Sequence, residues 1–244
     1  MIRPRLLPGQ LLGVGGTAGS VHRAQNSYEI VLGPVGRCPH EPTHTIVVFD
    51  NSGSVTGGND VIGNRFTEAE LAFEAVARRC RCGREMASCI SFDSPTGLDA
   101  MGIPLRGGLA KIKHGLAVPR DAAGSSVLGP SLDIAQRLTK QYPTHQTVLV
   151  VLSDFELFDP DVAKTLDEFR TFPGDVHAVV LRSTPPQELV DDDRVSVTAV
   201  TYDSPPGSVA NAVLAGLTMH RRPARQSRQV RAIAVASRSA GRSS

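Results

Sequence analysis

The sequence predicts an open, mostly parallel α/β sheet with helices on both of its faces. From about residue 45, short apolar runs rich in β-branched residues alternate with segments in which apolar residues recur at helical spacing. Most of the runs are continuously apolar, which is typical of strands that are buried on both faces and therefore of parallel sheets. The alternation predicts that helices connect successive strands and cover the sheet.

Five apolar runs are predicted to be strands. The strongest consists of Thr147 followed only by Val and Leu. The last alternates apolar with polar residues, which favours a position near the edge of the sheet, where one face meets solvent. In chain order, the runs are residues 45–49, 86–92, 147–152, 176–181 and 195–200.

Four helices are predicted between and after these runs. The first begins at a capping box formed by Thr67 and Glu70 and runs to about residue 79. Another begins at Asp159, an N-cap residue that is followed by proline at the first helical position. In that helix, apolar residues recur on one face. The other two helices cover about residues 130–141 and 208–220.

The pattern predicts one central domain, residues 45–220, between two segments of different composition. Residues 1–44 are predicted to form an amino-terminal extension of loops with an added edge strand or hairpin. Residues 221–244 contain seven arginines and no acidic residue. They are predicted to form a basic, disordered tail with a short helix over residues 230–236.

Composition argues against several classes of function. The chain has no Trp and only 5% aromatic residues, whereas a surface that stacks single-stranded nucleic acid needs exposed aromatic side chains. Residues 1–220 carry 19 basic against 24 acidic residues, so nucleic acid is not an expected partner. No apolar run exceeds the five residues of 148–152, far fewer than a membrane span needs, and the first residues lack the apolar stretch of a secretory signal. We therefore expect a cytoplasmic protein without membrane contact.

The four cysteines do not follow a familiar metal-binding pattern. In the absence of a secretory signal they are expected to be reduced thiols. Cys80 and Cys82 form a C-x-C pair, and Cys38 has His40 close by in the sequence. Structural zinc sites usually combine two C-x₂₋₄-C pairs, and neither half matches that spacing. The sequence therefore does not favour a zinc site, and Cys89 is predicted to lie within a strand.

Hard oxygen ligands follow two of the predicted strands at their carboxyl ends, where ligands bind in open α/β sheets. The first strand leads to Asp50, Ser52 and Ser54, whose spacing lets their side chains turn to one side of a tight loop. The strongest strand leads to Asp154, and Ser126 lies just before a predicted helix. Carboxylate and hydroxyl oxygens suit Mg²⁺, Mn²⁺ or Ca²⁺ rather than zinc.

These residues resemble the metal-ion-dependent adhesion site of the von Willebrand factor A (vWA) domain family. That site combines a D-x-S-x-S loop, a Thr before a later helix and an Asp after a central strand. Asp50, Ser52 and Ser54 match the loop. Ser126 stands in place of the Thr, and Asp154 matches the last carboxylate. The resemblance covers about residues 44–220 in the expected order.

The resemblance implies a Rossmann-like vWA fold with a bound Mg²⁺, or Mn²⁺ or Ca²⁺. The hydroxyl groups of the site would ligate the ion directly, and Asp50 and Asp154 would ligate directly or through water. An Asp or Glu from a partner protein would fill the remaining position. One departure from the family is that Phe155 and Glu156 follow Asp154, where the family usually has Gly.

The resemblance further implies an adaptor or regulatory subunit rather than an enzyme. Intracellular members of the family accompany AAA+ ATPases or serve multi-protein stress and defence systems, and the excess of Arg over Lys indicates a bacterial, high-GC origin. No G-x-S-x-G elbow is present. Two alternatives stay open, namely a metal-dependent phosphohydrolase that uses Asp50 and Asp154, and an N-capped turn at Asp50 that binds no metal.

Overall fold

The computed structural model describes residues 27–52, 55, 65–92, 99–116, 124–223 and 230–235. Within them the chain forms eight strands and six helices. The strands are β1 (Ser27–Leu32), β2 (Thr43–Phe49), β3 (Glu85–Ser91), β4 (Ala100–Pro104), β5 (Gln146–Ser153), β6 (Asp175–Leu181), β7 (Val195–Val200) and β8 (Val230–Val235). The helices are α1 (Arg65–Arg79), α2 (Leu109–Gly115), α3 (Gly129–Gln141), α4 (Val162–Arg170), α5 (Gln187–Val190) and α6 (Ser208–Thr218). No helix in this part of the chain has the length and apolar character needed to cross a membrane.

Six strands form the central sheet, in the order β4-β3-β2-β5-β6-β7. Neighbouring strands are parallel, except that β4 runs antiparallel to β3. The predicted open, mostly parallel sheet is confirmed, and all five predicted strands are present in it. β4 was not predicted because its five residues include Gly102 and Pro104, which weaken a strand pattern.

Both faces of the sheet are covered, as continuous apolar strands require. Along β2, Ile46 and Val48 face one core, while Val47 and Phe49 face the other, and none of the four is more than 1% exposed. α3 and α4 pack on the side of Ile46. α1 and α6 pack together on the side of Val47.

A buried carboxylate joins α1 to α6. α1 begins at Arg65, two residues before the predicted capping box. Glu68 accepts hydrogen bonds from the backbone N–H groups of Gly207 (2.9 Å) and Ala210 (3.1 Å) at the start of α6. Its negative charge therefore lies at the positive end of the α6 dipole, which stabilises the contact between the two helices.

The two ends of the described chain meet in a second, two-stranded sheet. β1 pairs antiparallel with β8, and Ser27 lies opposite Val235. The prediction of a helix over residues 230–236 was wrong, because residues 230–235 form a strand rather than part of a disordered tail. The rest of the predicted tail, residues 224–229 and 236–244, lies outside the described residues, as do residues 1–26.

Arg221 and Arg222, which were predicted to begin the tail, belong to the folded body. Arg222 and Arg37 exchange backbone hydrogen bonds of 2.9 and 3.1 Å. The Arg221 side chain is buried and forms an ion pair with Glu85. The boundary predicted at residue 220 is therefore too early, because composition alone does not distinguish a buried arginine from a solvated one.

Candidate metal site

The site predicted from the sequence lies where the strand order of the central sheet reverses. β2 is flanked by β3 on one side and β5 on the other, and the carboxyl ends of β2 and β5 lie side by side. Asp50 directly follows β2, and its backbone N–H donates to the carbonyl oxygen of Leu152 near the end of β5 (2.9 Å). Asp154 directly follows β5. Such a reversal leaves a crevice beyond the strand ends in which ligands bind.

The Asp50 carboxylate is buried and held at both oxygens. Only 1% of the residue is exposed. Oδ1 accepts from the backbone N–H of Ser52 (2.8 Å), and Oδ2 accepts from the hydroxyl of Ser153 (2.6 Å). The Ser52 side chain also hydrogen-bonds to this carboxylate, and because a carboxylate offers about four lone-pair positions, it can still accept a further ligand.

A second carboxylate, that of Asp154, lies close enough to act on Asp50. Burial raises the pKa of the Asp50 carboxyl above its ordinary value, and the charge of Asp154 adds to the rise, although hydrogen bonds from Ser153 and Ser52 oppose it. Asp154 is itself buried, and its Oδ1 accepts from the N–H of Glu156 (3.0 Å). No Lys, Arg or His of the described residues pairs with either carboxylate.

The loop that carries Ser126 packs directly against the loop after β2. Gly124 forms a parallel bridge with Ser52. A Cβ atom at position 124 would lie 2.5 Å from the backbone oxygen of Asn51, so only glycine permits this approach. Ser126 is buried, and its carbonyl oxygen accepts from the N–H of Phe158 (2.8 Å). The structure therefore brings the segments that carry four of the five predicted ligands together beyond the carboxyl ends of β2 and β5, and Ser54 lies outside the described residues.

The donor set fits a hard cation. Asp50, Ser52, Ser126 and Asp154 offer only carboxylate and hydroxyl oxygens, and all are buried. In addition, Oδ1 of Asn51 is buried and has no hydrogen-bond partner among the described residues. An unpaired buried acceptor costs about 1–3 kcal/mol, which a cation or its hydration water would offset. Asn51 was not predicted, since it occupies a variable position of the D-x-S-x-S motif.

Ser153 links the two halves of the site and was also missed. Its hydroxyl donates to Asp50 and accepts from the backbone N–H of Phe155 (2.8 Å). Phe155 stands where the vWA family usually has glycine, and it adopts a left-handed φ of 57° that glycine accepts most readily. The backbone strain is about 1–2 kcal/mol. Burial of the phenyl ring, whose centroid lies 5.7 Å from that of Phe169, opposes it.

Asp159 also holds the loop that carries Ser126. Its two carboxylate oxygens accept from the N–H groups of Leu128 (2.9 Å) and Gly129 (2.8 Å) at the start of α3. The prediction that Asp159 caps its own following helix was wrong, because Asp161 caps α4 by accepting from the N–H of Lys164 (3.0 Å). Asp159 therefore connects the loop after β5 to the loop before α3.

We expect Asp159→Ala to lower the free energy of unfolding by about 1–2 kcal/mol, because two N–H groups of a buried helix end lose their acceptor. Urea unfolding followed by circular dichroism measures this. Asp161→Ala is the matched control, since it removes an exposed cap with one hydrogen bond and should cost less. Equal losses in the two variants would show that Asp159 is an ordinary cap.

Two exposed aromatic residues lie at the same end of the sheet as the site. Phe158, whose N–H is bonded to Ser126, is 78% exposed. Tyr202 is 52% exposed and follows β7 on the same edge of the sheet. The guanidinium of Arg182 lies 4.7 Å from the Tyr202 ring centroid. Both exposed rings therefore belong to the end of the sheet that carries the site.

Comparisons with known proteins identify the fold. No family model and no curated protein matches the sequence. A von Willebrand factor type A protein from Catenulispora acidiphila has a similar structure, with a TM-score of 0.54 and 13% identity over 82% of this chain and 51% of that chain. The pilus adhesin SpaC from Lactobacillus rhamnosus GG is similar with a TM-score of 0.54 and 14% identity over 78% of this chain and 31% of its own. The chain thus spans about half the length of the first and a third of the second. At these identities the likeness shows the fold, which is that of vWA domains.

Proposed function

We propose that this chain is a metal-dependent protein-binding module whose crevice holds a Mg²⁺-type divalent cation. The observation that carries the proposal is the pair of buried carboxylates, Asp50 and Asp154, which no cationic side chain of the described residues neutralises. Buried charges of like sign are unfavourable unless a counter-ion accompanies them. A bound divalent cation would supply that counter-charge and attract an incoming anion.

Each residue of the crevice has a distinct part in this proposal. Asp50 and Asp154 supply the negative charge, and the hydroxyls of Ser52, Ser54 and Ser126 supply neutral ligands. The two negative charges of these carboxylates balance the two positive charges of the cation. The occupied site then carries no net negative charge that would repel a carboxylate from a partner. Ca²⁺ and Mn²⁺ accept the same oxygen donors, so the donor set is compatible with each of the three ions.

The partner surface extends beyond the ion to the exposed rings. Phe158 is tied to Ser126 by a backbone hydrogen bond, so a partner that reaches the crevice with an acidic side chain would also cover this phenyl ring. Aromatic residues are enriched among the residues that contribute most to protein interfaces. The proposed partner therefore presents an Asp or Glu beside an apolar surface.

We further propose that the module acts as an adaptor or regulatory subunit of a cytoplasmic, bacterial multi-protein system, such as one built around an AAA+ ATPase. SpaC, one of the proteins with a similar structure, is a pilus adhesin. In the proposed role the chain is not an enzyme. Its buried Asp50 and Asp154 organise the ion, and the partner's carboxylate takes the place that a substrate would occupy in a phosphohydrolase.

Affinity capture from a lysate of the source organism tests this function. We expect the wild-type chain in Mg²⁺ to retain a partner that is lost in EDTA, lost in Asp154→Ala and at least about tenfold weaker in Phe158→Ser. Asp133→Asn is the control, because Asp133 is an exposed acid on α3. Equal capture in EDTA and by Asp154→Ala would refute the proposal. Turnover of p-nitrophenyl phosphate that is lost in Asp154→Ala would support the phosphohydrolase instead.

A further inference from the structure

Three cysteines and a glutamate meet at the edge of the sheet opposite the Asp50 crevice. Cys38 lies between β1 and β2, Cys80 directly follows α1, Cys82 is in the turn after it, and Glu85 begins β3. Their sulfur and carboxylate oxygen atoms all lie within 4.8 Å of one another. Because Glu85 begins β3 whereas Asp50 follows the end of β2, the two groups of ligands are at opposite ends of the parallel strands.

The spacing suits one tetrahedral ion. Zn–S bonds of about 2.3 Å in a tetrahedron place two sulfurs about 3.8 Å apart, which is compatible with the separations in this cluster. A disulfide could join only two of the three sulfurs and would leave one thiol unpaired. All three cysteines are free thiols in the structure.

Backbone N–H groups point at the sulfurs. The N–H of Arg81 donates to Sγ of Cys38 (3.4 Å), and the N–H of Arg84 donates to Sγ of Cys82 (3.4 Å). Such donors stabilise a thiolate relative to a neutral thiol, and thiolate is the form that binds metal. Hydrogen bonds of this kind also orient metal ligands in known sites. These two hydrogen bonds are a second observation beside the short distances between the ligand atoms, because a buried thiol that binds no metal does not need a hydrogen-bond donor.

Glu85 can complete the coordination although it also pairs with an arginine. Its Oε1 and Oε2 accept from Nε and Nη2 of Arg221, both at 2.6 Å. Each carboxylate oxygen has a second lone pair, and Cys82 already points its sulfur at Oε2 from 3.7 Å. Glu85 and Cys80 are buried, so bulk water has little access to the cluster.

We propose that Cys38, Cys80, Cys82 and Glu85 bind one structural Zn²⁺ ion. Thiolates favour soft or borderline ions, and the carboxylate favours Zn²⁺ over Cu⁺. Four protein ligands leave no open position, as in structural rather than catalytic zinc sites. The ion ties the segment before β2 to the turn between α1 and β3. Through Arg221 it is also connected to the chain that follows α6.

Metal analysis of the purified full chain tests this inference. After expression with zinc and exhaustive dialysis, we expect one zinc per chain in the wild type and a loss of at least about tenfold in Cys82→Ala. Cys89→Ala is the matched control, because Cys89 lies in the interior of β3 within the core and should leave the zinc content unchanged. Asp50→Ala should also keep its zinc, which separates this site from the proposed Mg²⁺ site.

A cobalt titration keeps the inference falsifiable if Cys82→Ala fails to fold. Metal-free wild-type protein in reductant should take up one Co²⁺ with the visible absorption bands of tetrahedral thiolate coordination, and Zn²⁺ should displace it. Absence of zinc together with absence of these bands would overturn the proposal. So would undiminished zinc in Cys82→Ala, or a disulfide among these cysteines in the freshly purified protein.

Discussion

Replacing Arg221 with alanine is expected to lower the free energy of unfolding by about 3–5 kcal/mol. The side chains of Arg221 and Glu85 are only 2% and 1% exposed, and two hydrogen bonds of 2.6 Å join them. Removing the guanidinium leaves a carboxylate buried without its counter-charge. It also removes the bond from Arg221 to the carbonyl oxygen of Val35, which connects the segment before β2 to the end of the fold.

The comparison for this prediction is an arginine in an exposed ion pair. The Arg78 side chain is 74% exposed and pairs with Glu74 one turn away on α1, so Arg78→Ala should change stability by only about 0.5 kcal/mol. Urea unfolding of the two variants and the wild type, all with excess zinc, measures both differences. A loss below about 1 kcal/mol in Arg221→Ala would mean that water reaches Glu85 and that the pair is effectively solvated.

The role of Arg221 shows where sequence patterns stop being informative. The five strands were predictable because most are continuous apolar runs, from which burial on both faces follows, and because the last alternates apolar with polar residues, as a strand near the edge of the sheet does. Arg221 instead begins a stretch of seven arginines without acids, which is typical of a solvated tail. Its partner Glu85 is 136 residues away, and only the tertiary fold brings the two side chains together.

The two groups of candidate ligands differ in the same way. Asp50 and Asp154 could be predicted because parallel strands place their carboxyl ends on one edge, so the position of each residue after its strand was sufficient. No such rule predicts that Cys38 and Cys80 lie close together, because one is in a loop and the other follows the end of a helix. The C-x-C spacing matches no familiar zinc pattern, and the fourth ligand, Glu85, lies three residues beyond it.

The residues that support the crevice through hydrogen bonds could also not be predicted from the sequence. Ser153 is the last residue of an apolar strand, and nothing in that run indicates that its hydroxyl joins Asp50 to the backbone of Phe155. Asp159 precedes a proline and has the pattern of a local N-cap, yet its carboxylate accepts hydrogen bonds from N–H groups at the start of α3. In both cases the local pattern allowed more than one partner, and packing of the loops decided between them.

Replacing Asp50 with asparagine is expected to raise the dissociation constant for Mn²⁺ by at least about 100-fold. Removing a residue that only supports a metal ligand already lowers metal affinity by about 10–100-fold, and Asp50 is proposed to be a ligand itself. The same change should stabilise the metal-free fold, because it removes one of two buried carboxylates that repel each other. Asparagine retains the volume of the side chain and can still accept from the N–H of Ser52. Calorimetric titration with MnCl₂ and thermal unfolding measure the two effects.

Opposite signs for binding and stability distinguish a metal site from a structural turn. With metal at about 100 times its dissociation constant, the wild type should gain about 2.7 kcal/mol of stability and Asp50→Asn should gain almost none. Asp133→Asn, which changes an exposed acid on α3, should match the wild type in both measurements. If Asp50→Asn instead destabilises the metal-free protein and Mn²⁺ stabilises neither chain, Asp50 is only the cap of its turn.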